Sequence, residues 1–312
     1  MDTAMPASKA GLSICIPVYN KAGLIGKMLE SIRRQNIPDL EVIAVNNGSL
    51  DNSQEILESW QDKLDLTIYT MPKTISAPDN ILLALSLGTR EFLKVQLADD
   101  IIPDGAIAAM LDLLIKNDDI GFVVGNTYMV DSSGELMRDV PNIYADNNRL
   151  RSLMPAARTL KQKARLFSRQ RVGGSLFGDA NPLIFRSSLL PHLRCGINKY
   201  AAAFQMFPDY EMYLRLFAAA DAGYLDIPAS YVSMDKESTA PKLQRKSFRM
   251  RAWDMNSANS LVLLLLDPDL KPFTRELGIV YYAKCVLYQT ARIFRILVVR
   301  SIAERLGLRK PD

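Results

Sequence analysis

Over the first 125 residues, short apolar runs alternate with stretches of helical spacing, a pattern that predicts a parallel sheet covered by helices on both faces. The first run is L-S-I-C-I-P-V at 12–18. After it Ile25, Met28, Leu29 and Ile32 recur at intervals of three and four, so a helix here buries one stripe. Residues 41–45, E-V-I-A-V, are apolar enough for a central strand. In N-N-G-S-L-D-N-S at 46–53, Gly48 supplies a turn, and Asp51 with Gln54 resembles a helix-capping box ahead of Ile56, Leu57 and Trp60. A third strand is expected around 67–69, a helix around 80–87 and a fourth strand over 92–97. Pro103 then reads as the first residue of a helix carrying Ile107, Met110, Leu111, Leu114 and Ile115.

The pattern weakens further on. Between about 131 and 174 the period is lost and Arg158, Lys161, Lys163, Arg165, Arg169 and Arg171 gather, which reads as a mobile or acceptor-facing region. Order resumes over 180–185 and in a helix-like stretch at 208–220. From about 274 to 306 a long helix is expected, with Lys284, Arg292 and Arg295 on one side and Val286, Ile293, Phe294, Leu297 and Val298 facing away. Such a helix suits a membrane surface or packing against the rest of the chain, and the sequence leaves both open.

Composition removes several function classes. A chain of 312 residues, 48% apolar and 23% charged, is globular rather than disordered. Its net charge of +4 suits anionic ligands such as nucleotide phosphates and falls short of a nucleic-acid footprint. Cys15, Cys195 and Cys285 lie far apart with no C-x-x-C spacing, so neither a disulfide framework nor a thiolate metal site is expected. Residues 1–9 lack the apolar core of a signal peptide, and the longest aliphatic run, 261–266, is well short of the roughly 20 residues of a membrane span. A cytoplasmic location follows as the expectation, with the inner face of the membrane as the alternative. His192 is the single histidine, sits between Pro191 and Leu193, and reads as structural. Ser-His and Cys-His hydrolase chemistry thereby loses its support.

Ligands of open α/β sheets gather beyond the carboxyl ends of the strands. The loop after the first strand holds Pro17, Tyr19, Asn20 and Lys21; Asn46 and Asn47 follow the second strand, and Asp99 and Asp100 the fourth. Two adjacent acids at the end of an apolar strand call for a positive partner, and a divalent cation chelated by a diphosphate is one candidate. The other reading has them cap the helix near Pro103. No G-x-G-x-x-G follows either early strand, so the phosphates would be held by metal rather than by a helix N-terminus.

The ordered set of P-x-Y-N, an amphipathic helix, E-V-I-A-V-N-N-G-S-x-D-N-S and a strand ending in A-D-D closely resembles the inverting family-2 glycosyltransferases of the GT-A fold. The resemblance is strong over 11–125 and weaker to about 235. It implies a Rossmann-like α/β fold, with a mostly parallel central sheet, helices on both faces and a C-terminal helical extension. The implied division is a catalytic domain at 1–235, with a nucleotide-sugar-binding half at 11–125 and an acceptor-binding half at 126–235, and an extension at 236–312. By the same resemblance Pro17, Tyr19 and Asn20 line the donor-nucleotide pocket and Asn47 meets the base. Asp99 contacts ribose or donor sugar, and Asp100, in a DXD-like motif, ligates Mn²⁺ or Mg²⁺ on the diphosphate.

The chain departs from the family pattern in three places. Asn46-Asn47 stands where the family usually has Asp-Asp; an asparagine carbonyl still accepts from a uracil or thymine imide, but its amide adds donors. Where the family often has Arg-Asn before the third helix, the chain has Ala77-Pro78-Asp79-Asn80, so Asn80 matches and the arginine is missing, with Lys73 a candidate substitute. In the segment 207–215, F-P-D-Y-E-M-Y-L-R, Asp209 takes the catalytic-base position and also reads as a helix cap. Pro208 stands where a glutamate is common, and Glu211 competes for the base role. The implied activity is transfer of a sugar from a nucleoside-diphosphate donor, a UDP-sugar favoured, to a hydroxyl of a glycan or lipid-linked acceptor, in surface or extracellular polysaccharide assembly. A nucleotidyltransferase, which usually carries an early Gly-rich basic loop absent here, and a non-catalytic sugar-nucleotide-binding protein are the alternatives.

Overall fold

In the computed structural model, which describes residues 11–131, 133–137, 145–169, 180–193, 208–234 and 267–305, the apolar runs form strands of one sheet. Residues 1–9, Arg171, Cys195, Phe207 and the run 261–266 lie outside the described residues. The first half alternates β1 (Leu12–Val18), α1 (Ala22–Arg34), β2 (Leu40–Asn46), α2 (Ser53–Glu58), β3 (Leu66–Thr70), α3 (Ala77–Ser86), β4 (Phe92–Val95) and α4 (Ala106–Lys116). The second half comprises β5 (Ile120–Val130), α5 (Ala145–Arg151), α6 (Leu160–Phe167), β6 (Leu183–Arg186), α7 (Pro208–Ala219), β7 (Asp221–Ser233) and α8 (Lys271–Arg305).

The sheet order is β3-β2-β1-β4-β6-β5-β7. Strands β3, β2, β1 and β4 are parallel neighbours, β5 pairs with β7 in parallel, and β6 runs antiparallel to β4 and β5. Alternate side chains of β1 feed two cores: Ile14 and Ile16 join Ile25, Met28, Ile107 and Met110 of α1 and α4 on one face. Cys15 joins Ile81 of α3, Phe167 of α6 and Phe217 of α7 on the other. The mostly parallel sheet covered on both faces is therefore the architecture that the alternation implies.

Local details differ from the sequence expectation. Helix α2 has Asn52 at its N-cap without a side-chain cap bond. Asp51 instead accepts from the Ala22 N–H (3.0 Å) and from the Ser53 hydroxyl and N–H, while Gln54 pairs with Asn46 (2.7 Å). The capping box is replaced by a clasp between two loops. Helix α4 begins at Ala106 with Gly105 at φ +76° as its N-cap, so Pro103 lies in the preceding turn, where its carbonyl accepts from Ala106 N–H and Gln35. Within the stretch expected to lose its period, α5 and α6 form, and Thr159 and Gln162 make a full capping box on α6. The basic residues there are partly spoken for, since Arg158 pairs with Asp119 (2.8 Å) and Lys163 with Asp221 (2.9 Å).

Helix α8 is interrupted at Gly278, whose φ of +69° is open to glycine at little cost. Phe273, Leu277, Tyr281 and Cys285 are buried. Phe167 of α6 meets the Phe273 ring edge-on at 5.6 Å and the Tyr281 ring at 5.6 Å. Packing against the rest of the chain is thus realised for one face. Among the described residues no helix is long and apolar enough to cross a membrane.

Candidate active site

Strand β4 ends at Val95, and the chain continues through Gln96, Leu97 and Ala98 to the acidic pair. Asp99 and Asp100 are both buried and, rather than capping α4, they turn in different directions. The Lys21 ammonium lies 2.7 Å from Asp99 Oδ2, bringing the loop after β1 onto the tip of β4. Asp100 Oδ2 accepts from Asn181 Nδ2 at 2.7 Å, and Oδ1 from the Ser233 N–H at 3.0 Å.

Asn181 is the centre of this corner. Its side chain donates to Asp100 and accepts from the Leu97 N–H (2.7 Å), while its backbone carbonyl accepts from the buried Lys94 ammonium. Gln96 adds a bond from Nε2 to the Asp100 carbonyl (3.1 Å). Buried polar groups in this density fix one geometry, because each unmade bond would cost about 1–3 kcal/mol.

The loops after β1 and β2 are sewn together. Asn20, at φ +51°, accepts from the Leu50 N–H (2.8 Å), and its own N–H donates to Ser49 Oγ (3.0 Å). Burial works to raise the Asp51 pKa, but hydrogen bonds from the Ser53 hydroxyl and from the Ala22 and Ser53 N–H groups outweigh it, holding the carboxyl below its ordinary range. Gly48 makes the expected turn at φ +69°, and a Cβ there would stand 3.1 Å from Thr74 Oγ1. Tyr19 is exposed beside this clasp and Pro17 is half-buried.

Asn47 is buried and bonds the backbone of Ile75 in both directions, Nδ2 to the carbonyl at 2.9 Å and Oδ1 from the N–H at 2.8 Å. Its first duty is to pin the 71–76 loop, which among the described residues leaves one N–H and one lone pair over. Asn80, on α3, is buried, and its Oδ1 finds no partner among the described residues. An acceptor left bare in this way is a position where a ligand N–H or O–H would be welcome. Lys73 is exposed, and among the described residues Lys21 is a cation that meets the acidic tip.

Helix α7 carries the two base candidates. Glu211 is buried, and its Oε1 takes both Nε (2.8 Å) and Nη2 (2.6 Å) of Arg215. Arg215 in turn reaches Asp267 Oδ2 at 2.5 Å. Asp209, in the first turn of α7, is half-buried. His192 is exposed on a short 3-10 turn.

In the second half a cavity of about 390 Å³ opens beside β5 and β7, with Asn126, Tyr128, Arg149, Tyr224 and Asp226 in its walls. Asn126 donates to Asp226 (2.7 Å) and accepts from the Tyr224 hydroxyl (3.0 Å). Tyr128 pairs in register with Tyr231, which bridges to Ile101, the residue after Asp100. This cavity, Asn181 and Ser233 escaped the sequence reading because they come from distant segments. The one visible signal was F-L-K-V-Q-L at 92–97, a lysine and a glutamine inside an apolar strand.

The chain matches the family model described as Glycosyl transferase family 2 over residues 13–174. Glycosyltransferase GlyG of Streptococcus pneumoniae serotype 4 is 27% identical over 124 residues, 39% of this chain and 40% of that protein. The poly-beta-1,6-N-acetyl-D-glucosamine synthase of Staphylococcus epidermidis is 24% identical over 163 residues, 51% of this chain and 40% of that protein. The chain thus spans about 40% of the length of these curated relatives. Among solved structures, the mannosyltransferase PcManGT from Pyrobaculum calidifontis, in complex with GDP-Man and Mn²⁺, matches with a TM-score of 0.58 at 17% identity, covering 96% of this chain and 81% of that one. S. aureus TarS 1–349 in complex with UDP gives 0.57 at 17%, covering 86% and 69%. These two likenesses establish the GT-A fold. By the family match over residues that include β1, β2, β4 and the acidic tip, the chain belongs to glycosyl transferase family 2.

Proposed function

We propose that the chain moves a sugar from a nucleoside-diphosphate donor, a UDP-sugar favoured, onto a hydroxyl acceptor with inversion at the anomeric carbon, in assembly of a surface or extracellular glycan. The observation that carries this reading is the buried acidic corner, Asp99 on Lys21 and Asp100 between Asn181 and Ser233, at the carboxyl end of a parallel strand. The printed names of similar proteins, a polysaccharide synthase and structures in complex with UDP or with GDP-Man and Mn²⁺, support the substrate class.

The residues fit a divalent ion held in one particular way. Among the described residues no group of three His, Cys, Asp or Glu side chains forms a cage. Asp100, a buried carboxylate oriented by Asn181 and the Ser233 N–H, suits the mode in which Mg²⁺ or Mn²⁺ binds through one or two carboxylates and takes its other ligands from phosphates and water. When bound, such an ion would neutralise charge on the departing diphosphate. Asp100 would hold it, with Asn181 and Ser233 fixing the carboxylate. Pro17, Tyr19, Asn20, Asn47, Asn80 and Asp99 would bind the nucleotide: Asn47 through the loop it pins, Asn80 through its bare oxygen, and Asp99 with Lys21 beside it.

Asp209 takes the proton of the acceptor hydroxyl as that oxygen bonds to the anomeric carbon from the side opposite the diphosphate. The bond from carbon to phosphate oxygen breaks and the nucleoside diphosphate departs. Inversion follows from that single displacement. Glu211 is the weaker candidate because Arg215 already occupies its Oε1. The polar cavity of Tyr128, Tyr224, Asn126 and Asp226 suits the hydroxyls and ring faces of a sugar acceptor, which supports an acceptor site in the second half.

Incubating the protein with UDP-, dTDP- and GDP-sugars and Mn²⁺ should release nucleoside diphosphate from at least one donor. The Asp209→Asn variant should keep donor-induced thermal stabilisation and lose roughly 10²–10⁴-fold in turnover. Full activity in that variant moves the base to another residue. Nucleotide binding without release from any donor makes the protein a binding module.

A further inference from the structure

Among the described side chains of α8, the most exposed aliphatic ones share one face. Ile279 is 83% exposed, Val280 77%, Leu287 70% and Val286 55%, and Ala283 and Thr290 between them are exposed as well. At about 100° per residue these six positions fall within an arc of about 120°. Tyr281 and Cys285 lie on the opposite side and are buried. Their packing, with Lys284 Nζ on the Ser168 carbonyl at 3.3 Å, fixes the roll of the helix and keeps the stripe facing outward. In the sequence the same spacing continues through Phe294, Leu297 and Val298.

We infer that this face of α8 lies on an anionic lipid surface, with its aliphatic side chains at the boundary between headgroups and acyl chains and the net positive charge of the C-terminal segment drawing it to the leaflet. Charge selects this occupant. From 274 to 312 the sequence has eight Lys and Arg against three Asp and Glu, so pairing with a second copy would set like charges together, whereas an anionic leaflet is complementary. The side-chain chemistry agrees. The described stripe holds no aromatic residue or Met, the types enriched at protein interfaces, and consists instead of Ile, Val, Leu, Ala and Thr. The inference is independent of the transferase reading, since none of these residues belongs to the acidic corner.

The test is flotation of the full chain with vesicles of phosphatidylglycerol and phosphatidylcholine, beside vesicles of phosphatidylcholine alone. The protein should float with the anionic vesicles, stay down with the neutral ones, and partition less as salt rises from about 0.1 to 1 M. The double variant V280D/L287D changes exposed positions only, so it should keep its circular dichroism spectrum and its donor hydrolysis in vesicle-free buffer while its partitioning falls at least tenfold. Replacing one Lys or Arg of this segment by Gln should lower partitioning about fivefold. Wild-type protein that ignores anionic vesicles, or a double variant that floats equally well, overturns the inference. So does a wild-type dimer that the double variant splits while vesicles capture neither form, since the face is then a protein interface. Donor hydrolysis measured in parallel shows separately whether the transferase reading stands.

Discussion

Asn181 shows what a single side chain contributes to the acidic corner. Its amide spans the Leu97 N–H and Asp100 Oδ2, so it sets the direction in which that carboxylate points. Residues that orient a metal-binding carboxylate typically contribute 10- to 100-fold in metal affinity. Asn181→Ala should therefore weaken Mn²⁺-dependent stabilisation by UDP about 10- to 100-fold, read as the Mn²⁺ concentration giving half the thermal shift, while metal-free nucleotide binding stays. An unchanged Mn²⁺ midpoint removes Asn181 from this role. At this scale the sequence exposes residues that sit together in one loop: Asp99 and Asp100, or Tyr19 beside Asn20, announce themselves as polar groups at strand ends. It hides Asn181 and Ser233, which stand 81 and 133 positions from Asp100 along the chain and leave no local pattern. Asn47 lies between these cases: its position was visible, but its pair of hydrogen bonds to the Ile75 backbone needed the folded loop.

At the scale of elements, one buried arginine ties α7 to the segment that opens α8. Arg215 is 3% exposed and holds Glu211 of its own helix and Asp267, the residue before the turn that leads into α8. Burial works to lower the Arg215 pKa, but the charges of Glu211 and Asp267 and their hydrogen bonds outweigh it and push it up. Arg215→Met leaves a buried carboxylate without its partner, which costs about 3–5 kcal/mol. Urea unfolding should show that loss, and Glu211→Gln should also destabilise, while Asp209→Asn should barely move the midpoint. Equal stability in Arg215→Met would mean that the cluster does not join these elements. Element boundaries were legible where apolar period and turn chemistry agree, as in β1, α1 and β2. They slipped at α4, where the turn at Pro103 and Gly105 delays the helix by three residues. Helix α6 escaped because its buried stripe includes Lys163, whose stem is covered while its ammonium reaches the Ala220 carbonyl and Asp221, so a charged letter occupied a core position.

Across the whole molecule, carboxylates clamp segments distant in sequence, and this sets the response to acid. Glu41 of β2 accepts from Ser13 of β1 (2.5 Å) and from the Thr89 hydroxyl and N–H (both 3.0 Å) ahead of β4. Asp51 joins the loops after β1 and β2, and Asp221 joins β7 to Lys163 and to Arg158 (3.2 Å). For all three, burial works to raise the pKa, but hydrogen bonds, joined at Glu41 and Asp221 by nearby cations, prevail and hold it below the ordinary value. A carboxyl whose folded pKa lies below its unfolded one contributes stability that is complete above the unfolded value, about 4, and is lost as pH falls through the folded value. Stability should therefore hold level from pH 7 to about 5 and fall below about 4, as the unfolded chain takes up protons that the folded one resists. Urea midpoints at pH 7, 5, 4 and 3 measure this, and Asp221→Asn should flatten the acid limb while lowering the plateau. A midpoint that stays constant down to pH 3 would mean that these three clamps bind protons alike in both states and contribute no pH-dependent stability.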